Sequence, residues 1–111
     1  MINGDDAVTI TNEVYTQLSE MFKSSDQDNH IMAMEIMANS NYVESALYLL
    51  MLLEEYGGRI ANCHTKNHVN FKSMVSYFSL RVRDVDCLDP DDVSKKLTSL
   101  GLLTTEWLNI L

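Results

Sequence analysis

Two cysteines in 111 residues are too few for a secreted disulfide framework, although Cys63 and Cys87 could still form a single bridge. Long apolar runs are missing as well. The longest, Ala46 to Leu53, falls far short of the ~20 residues that a membrane helix needs. The opening Met1-Ile2-Asn3-Gly4-Asp5-Asp6 is acidic where a secretory signal would be basic and then apolar. These absences predict a soluble protein of a reducing compartment, the cytoplasm, with no membrane contact. The chain also lacks a phosphate-binding glycine loop and a nucleophile elbow, and no pair of carboxylates stands out as a general acid and base. No enzymatic activity and no cofactor are therefore expected.

What is present fits one domain, residues 1–111, with 1–10 expected to be flexible. A chain of this length buries roughly two-thirds of its unfolded surface, so a core can form without a metal or a disulfide. The net charge of -8 is unevenly spread. Residues 1–58 hold ten acids against one base, Lys23. Residues 59–83 hold Arg59, Lys66, Lys72, Arg81 and Arg83 and no acid, after which five aspartates follow between Asp84 and Asp92. Such a chain is either an ordinary solvated domain whose halves attract one another or a molecule offering an acidic face to a basic partner.

Apolar periodicity predicts five or six helices, an all-α bundle of antiparallel helix pairs. The first starts near Thr11 or Asn12 and aligns Val14, Leu18, Met21 and Phe22. Ser24 or Ser25 can cap the second, with Asp26 and Asp28 near the positive end of its dipole. Asn39-Ser40-Asn41 breaks the chain, and a third helix follows through Ala46 to Leu53, with Gly57-Gly58 as its stop. A polar connection from Arg59 to Val69 leads to Asn70, the expected cap of a fourth helix bearing Phe71, Met74, Val75, Phe78 and Val82. Asp89-Pro90-Asp91-Asp92 is the clearest start signal in the chain. It predicts a fifth helix with Val93, Leu97 and Leu100 inward and Gly101 at its end. A short sixth, from Thr104, would align Trp107, Leu108 and Leu111.

Two stretches resemble known elements. The first helix, its tight break and Met21-Phe22-Lys23-Ser24-Ser25-Asp26-Gln27-Asp28-Asn29-His30-Ile31-Met32-Ala33-Met34 resemble a HEAT-type α-helical repeat over about residues 12–56. That likeness implies a scaffold that binds through the face of its helix pairs. Residues 93–111, with Gly101 between Leu100 and Leu102 and with Trp107 and Ile110 beyond, resemble a helix-turn-helix. The would-be recognition helix offers Thr104, Thr105, Glu106 and Asn109 without a Lys or Arg, so nucleic acid is not the expected partner.

Metal chemistry has two candidate sets. Cys63, His64, His68 and Cys87 are zinc ligand types, but an adjacent Cys-His pair is awkward for one tetrahedral site, and no metal is expected. Asp84, Asp86, Asp89, Asp91 and Asp92 lack the spacing of a calcium loop and read as helix capping.

The strongest departure from an ordinary domain is the stretch 28–56, whose two helices are apolar almost all round. That pattern predicts a protein-protein interaction module, self-associating as a homo-oligomer or meeting another protein, through Met34, Met37, Leu50 and Leu53. The methionine cluster Met32, Met34, Met37 and Met51 suits an adaptable contact. One alternative is an acidic nucleic-acid mimic presenting Glu13, Glu20, Asp26 and Asp28 to a basic groove. The other is a nucleic-acid binder using Arg59, Lys66, Lys72, Arg81 and Arg83 with Phe71, Tyr77 and Phe78.

Overall fold

The structure, a computed structural model, describes residues 8–63 and 71–104. These form five α-helices: α1 (Asn12–Lys23), α2 (Gln27–Ala38), α3 (Ala46–Ala61), α4 (Phe71–Arg81) and α5 (Pro90–Ser99). A single 3-10 turn, Val82–Asp84, follows α4, and no strand occurs among the described residues. The fold is thus all-α, as the periodicity predicts. The sixth helix, Asn70 and the second half of the helix-turn-helix likeness lie outside the described residues.

Local signals set most of the helix starts. Thr11 caps α1 by accepting from the Val14 N–H at 3.3 Å, with Glu13 in the first turn and Lys23 in the last. α2 is capped by Asp26 and not by Ser24 or Ser25: the Asp26 carboxylate accepts from the Asp28 N–H at 2.9 Å. Ser24 instead accepts from the Asp26 N–H and the Asn29 side chain, closing the turn before the cap. Asp89 caps α5 through the Asp91 N–H at 3.0 Å, with Pro90 in the first turn where no N–H is needed.

The chain just before α1 is tied to the fold at two points. Val8 pairs with Ser40, and the Ile10 N–H donates to the Ser45 hydroxyl at 2.8 Å while the Ile10 side chain is buried.

Around α3 the other elements close a single core. α1, α2 and α4 pack directly on it, and α5 is held to α4 by the Ser79 and Ser94 hydroxyls at 3.2 Å. Lys96 of α5 also pairs with Glu54 of α3 at 3.0 Å. Leu49, Leu52, Leu53, Ile60, Met34, Met37, Phe22 and Phe78 fill the interior. Each such side chain contributes about 1.5–3 kcal/mol of burial.

Two glycine assignments part company here. α3 is two helical segments joined across a kink at Tyr56 (φ -123°, ψ 18°), so the break falls just before Gly57-Gly58 and a second short segment carries the helix on to Ala61. Gly57 is a close-approach site: a Cβ placed there would lie 2.8 Å from Leu102 Cδ1. Gly101 does terminate α5, at φ 76°. The Leu102 N–H bonds back to the Leu97 carbonyl at 2.9 Å and the Gly101 N–H to the Thr98 carbonyl at 3.0 Å, the two bonds of a Schellman motif. That reversal sends Leu102 into the core beside Leu97 and leaves Leu100 44 % exposed, so the inward position expected of Leu100 belongs to Leu102.

Candidate protein-contact surface

The four residues that the apolar pattern puts at a partner contact are interior. Met34, Met37 and Leu53 are fully buried and Leu50 is 8 % exposed. The reason is coverage: α1, α2 and α4 surround α3 within one chain, so the apolar circumference of 28–56 is mostly absorbed without a second subunit.

What remains outward is a narrower set. On α3, Leu47 is 52 % and Met51 42 % exposed, and on α2 Met32 is also exposed. Their direction has a signal in the sequence. Leu47 and Met51 share a helical phase with Glu54 and Glu55, and Met32 shares one with Asp28 and Glu35, so the acids mark the solvent side of each helix. Residues three and four apart are neighbours on a helix, which makes Leu47, Leu50, Met51, Glu54 and Glu55 one continuous strip.

Both margins of the strip are built. On one side α1 lies against α3, with the Tyr15 and Tyr48 rings 5.3 Å apart and both side chains half-buried. Burial pushes the Tyr15 hydroxyl pKa up, and the nearby Glu55 carboxylate adds to the rise. Further along, Phe22 stacks on Tyr56 at 5.4 Å, and the Arg59 guanidinium donates to the Phe22 carbonyl at the end of α1. On the other side a cleft of about 210 Å³ opens between α3 and α5. It is lined by Leu50, Leu88 and Val93, with Asp89, Asp92, Lys96 and the exposed Cys87 completing it.

The remaining sequence candidates are dispersed. Glu13, Glu20, Asp26 and Asp28 are all exposed, and none enters an ion pair among the described residues. In the basic segment, Arg59 is committed to α1 and Arg81 pairs with Asp84 at 3.2 Å. Lys72 and Arg81 stand nine residues apart on α4, half a turn round from each other, so they do not share a face. Lys66 lies outside the described residues and Arg83 is exposed. Phe71 and Phe78 are core residues, which leaves Tyr77 as the exposed ring of that trio and removes the stacking platform.

Cys63 is buried and Cys87 exposed, and both are free thiols, so they do not form the bridge their count allowed. Burial pushes the Cys63 thiol pKa up, and its Sγ donates to the Arg59 carbonyl at 3.2 Å. His64 and His68 fall outside the described residues, and among the described residues no group of three or more His, Cys, Asp or Glu could hold a metal ion. Likewise, no helix among them is long and apolar enough to cross a membrane. Neither a known protein family, nor a characterised protein, nor a solved structure gives a significant match to the chain.

Proposed function

We propose that this chain is a non-enzymatic protein-interaction module that meets its partner through the outward strip of α3. The observation that carries this reading is the pair Leu47 and Met51, two large apolar side chains left about half exposed on the helix around which α1, α2 and α4 pack. Scattered exposed leucines are common on any protein. An adjacent pair between a half-buried tyrosine couple and a cleft is a more organised feature, with the tyrosine and methionine content that contact surfaces favour. The reducing cytoplasm is the setting we assign, in keeping with two unbridged cysteines.

The test uses the full chain, captured by cross-linking with its associated proteins from the native cell. Leu47→Asn with Met51→Gln should leave the fold intact, since both side chains already face solvent, and should remove the captured partner. Met32→Gln should retain it. Light scattering over a hundredfold concentration range reads self-association in the same samples, and an oligomer dispersed by the double variant would identify the partner as a second copy.

A second reading, the acidic nucleic-acid mimic, is favoured by the unpaired exposure of Glu13, Glu20, Asp26 and Asp28. It would replace the first if capture survives the double variant, is lost when those four become amides, falls steeply with salt and is competed by nucleic acid.

A further inference from the structure

The charges beside the α3 strip are not equally available. Lys96 is committed to Glu54 at 3.0 Å, and one Asp89 oxygen is committed to capping α5. Glu55 on one margin and Asp92 on the other enter no ion pair among the described residues. The surface therefore reads, across its width, as a carboxylate, the apolar pair Leu47 and Met51, a cleft floored by Leu50, Leu88 and Val93, and a second carboxylate. At about 210 Å³ the cleft is smaller than the roughly 300–1,000 Å³ of sites for drug-sized ligands, and its scale suits a single anchoring side chain.

We propose that this surface docks a basic amphipathic segment of a partner protein, with one apolar side chain entering the cleft against Leu50, Leu88 and Val93 and lysines or arginines meeting Glu55 and Asp92. The proposal rests on the reading of the α3 strip as the contact face and adds the chemistry of what binds there. Charge complementarity selects the occupant. A second copy of this chain carries the same net charge of -8 and would bring acid, not base, to a face bordered by Glu55 and Asp92.

The probe is a synthetic amphipathic peptide with leucines at helical spacing flanked by lysines. It is compared with a version carrying glutamate for lysine and another carrying alanine for leucine. Binding to the full chain is read by amide chemical-shift changes and by alkylation of Cys87, which lines the cleft. The lysine-leucine peptide should bind saturably, shift Leu47, Met51 and Val93, and slow Cys87 alkylation. Glu55→Gln with Asp92→Asn should weaken it about tenfold at low salt, the combined effect of two exposed ion pairs. The alanine peptide and the Leu47→Asn, Met51→Gln chain should each bind far more weakly.

Equal binding of the glutamate peptide at this strip would overturn the basic-segment chemistry while leaving the contact face standing. Shifts confined to Glu13, Glu20, Asp26 and Asp28 would overturn the site, as would affinity unchanged in the Leu47→Asn, Met51→Gln chain. Absence of binding by the lysine-leucine peptide would also overturn the proposal. The loss or retention of the captured cellular partner judges the contact-face reading separately.

Discussion

Substituting Gly57 and Gly58 by alanine, one at a time, should change stability in opposite directions. In a helix interior, Gly→Ala gains about 0.5–1 kcal/mol, because glycine loses more backbone freedom on folding. At Gly58 nothing lies within 4 Å of the added Cβ, so Gly58→Ala should gain stability with no steric cost. At Gly57 the methyl would lie 2.8 Å from Leu102 Cδ1, 3.0 Å from Cδ2 and 3.4 Å from Cγ. Leu102 has little room to swing aside: it is 4 % exposed, and its own N–H is tied to Leu97 by the Schellman bond. Overpacking of this kind costs about 1–3 kcal/mol, which outweighs the helical gain and leaves Gly57→Ala less stable by about 1 kcal/mol. Urea denaturation with an unchanged slope would measure it, and Gly58→Ala should exceed Gly57→Ala by about 2 kcal/mol. Leu102→Ala alone should cost about 2–5 kcal/mol for the lost burial and cavity. Combined with Gly57→Ala it should cost less than the sum, by more than the roughly 0.5 kcal/mol within which independent sites add. A Gly57→Ala chain as stable as Gly58→Ala, or additivity of Gly57→Ala with Leu102→Ala, would refute the clash between Gly57 and Leu102.

The Tyr42 hydroxyl donates to the Ala38 carbonyl at 2.9 Å, and burial, with Tyr77 adding, pushes its pKa from 10.0 up to about 12. The unfolded chain therefore loses this proton first, so stability should be full below about pH 10 and fall by up to ~3 kcal/mol as pH rises towards 12. Tyr42→Phe should flatten that alkaline decline in a pH series of urea midpoints, and an unchanged decline would assign it to other groups. Cys87 should react quickly with iodoacetamide in the native state and Cys63 only on unfolding, because Cys63 is buried and its thiol held protonated. Peptide mapping that found Cys63 modified first would contradict that burial. Met37→Asp should fail to fold, since both the side chain and any charge placed there would lie in the core, at a cost of several kcal/mol. A cooperative, native-like melt of that variant would put Met37 back at the surface.

Elements with one apolar phase were legible before any tertiary contact was known. In α1, Leu18 and Phe22 are buried with Val14 and Met21 packed half-buried beside them, and in α4 Phe71, Met74, Val75 and Phe78 are buried together with Val82 of the 3-10 turn that follows. Asp89, Pro90 and Gly101 bounded α5 through interactions that reach only a few residues, so no distant partner was needed to read them. α2 and α3 were different. Where nearly every phase is apolar, local pattern cannot say which one faces out, because that depends on how many other helices arrive and from which side. Only tertiary packing decided that Met34, Met37, Leu50 and Leu53 lie inside and that Leu47 and Met51 lie outside. Glu54 and Glu55 were the available clue to the outward side. The glycines make the same division physically. Gly101 answers a local demand, a positive φ that side chains resist, whereas Gly57 answers Leu102, a residue 45 positions away that only the folded chain brings against it.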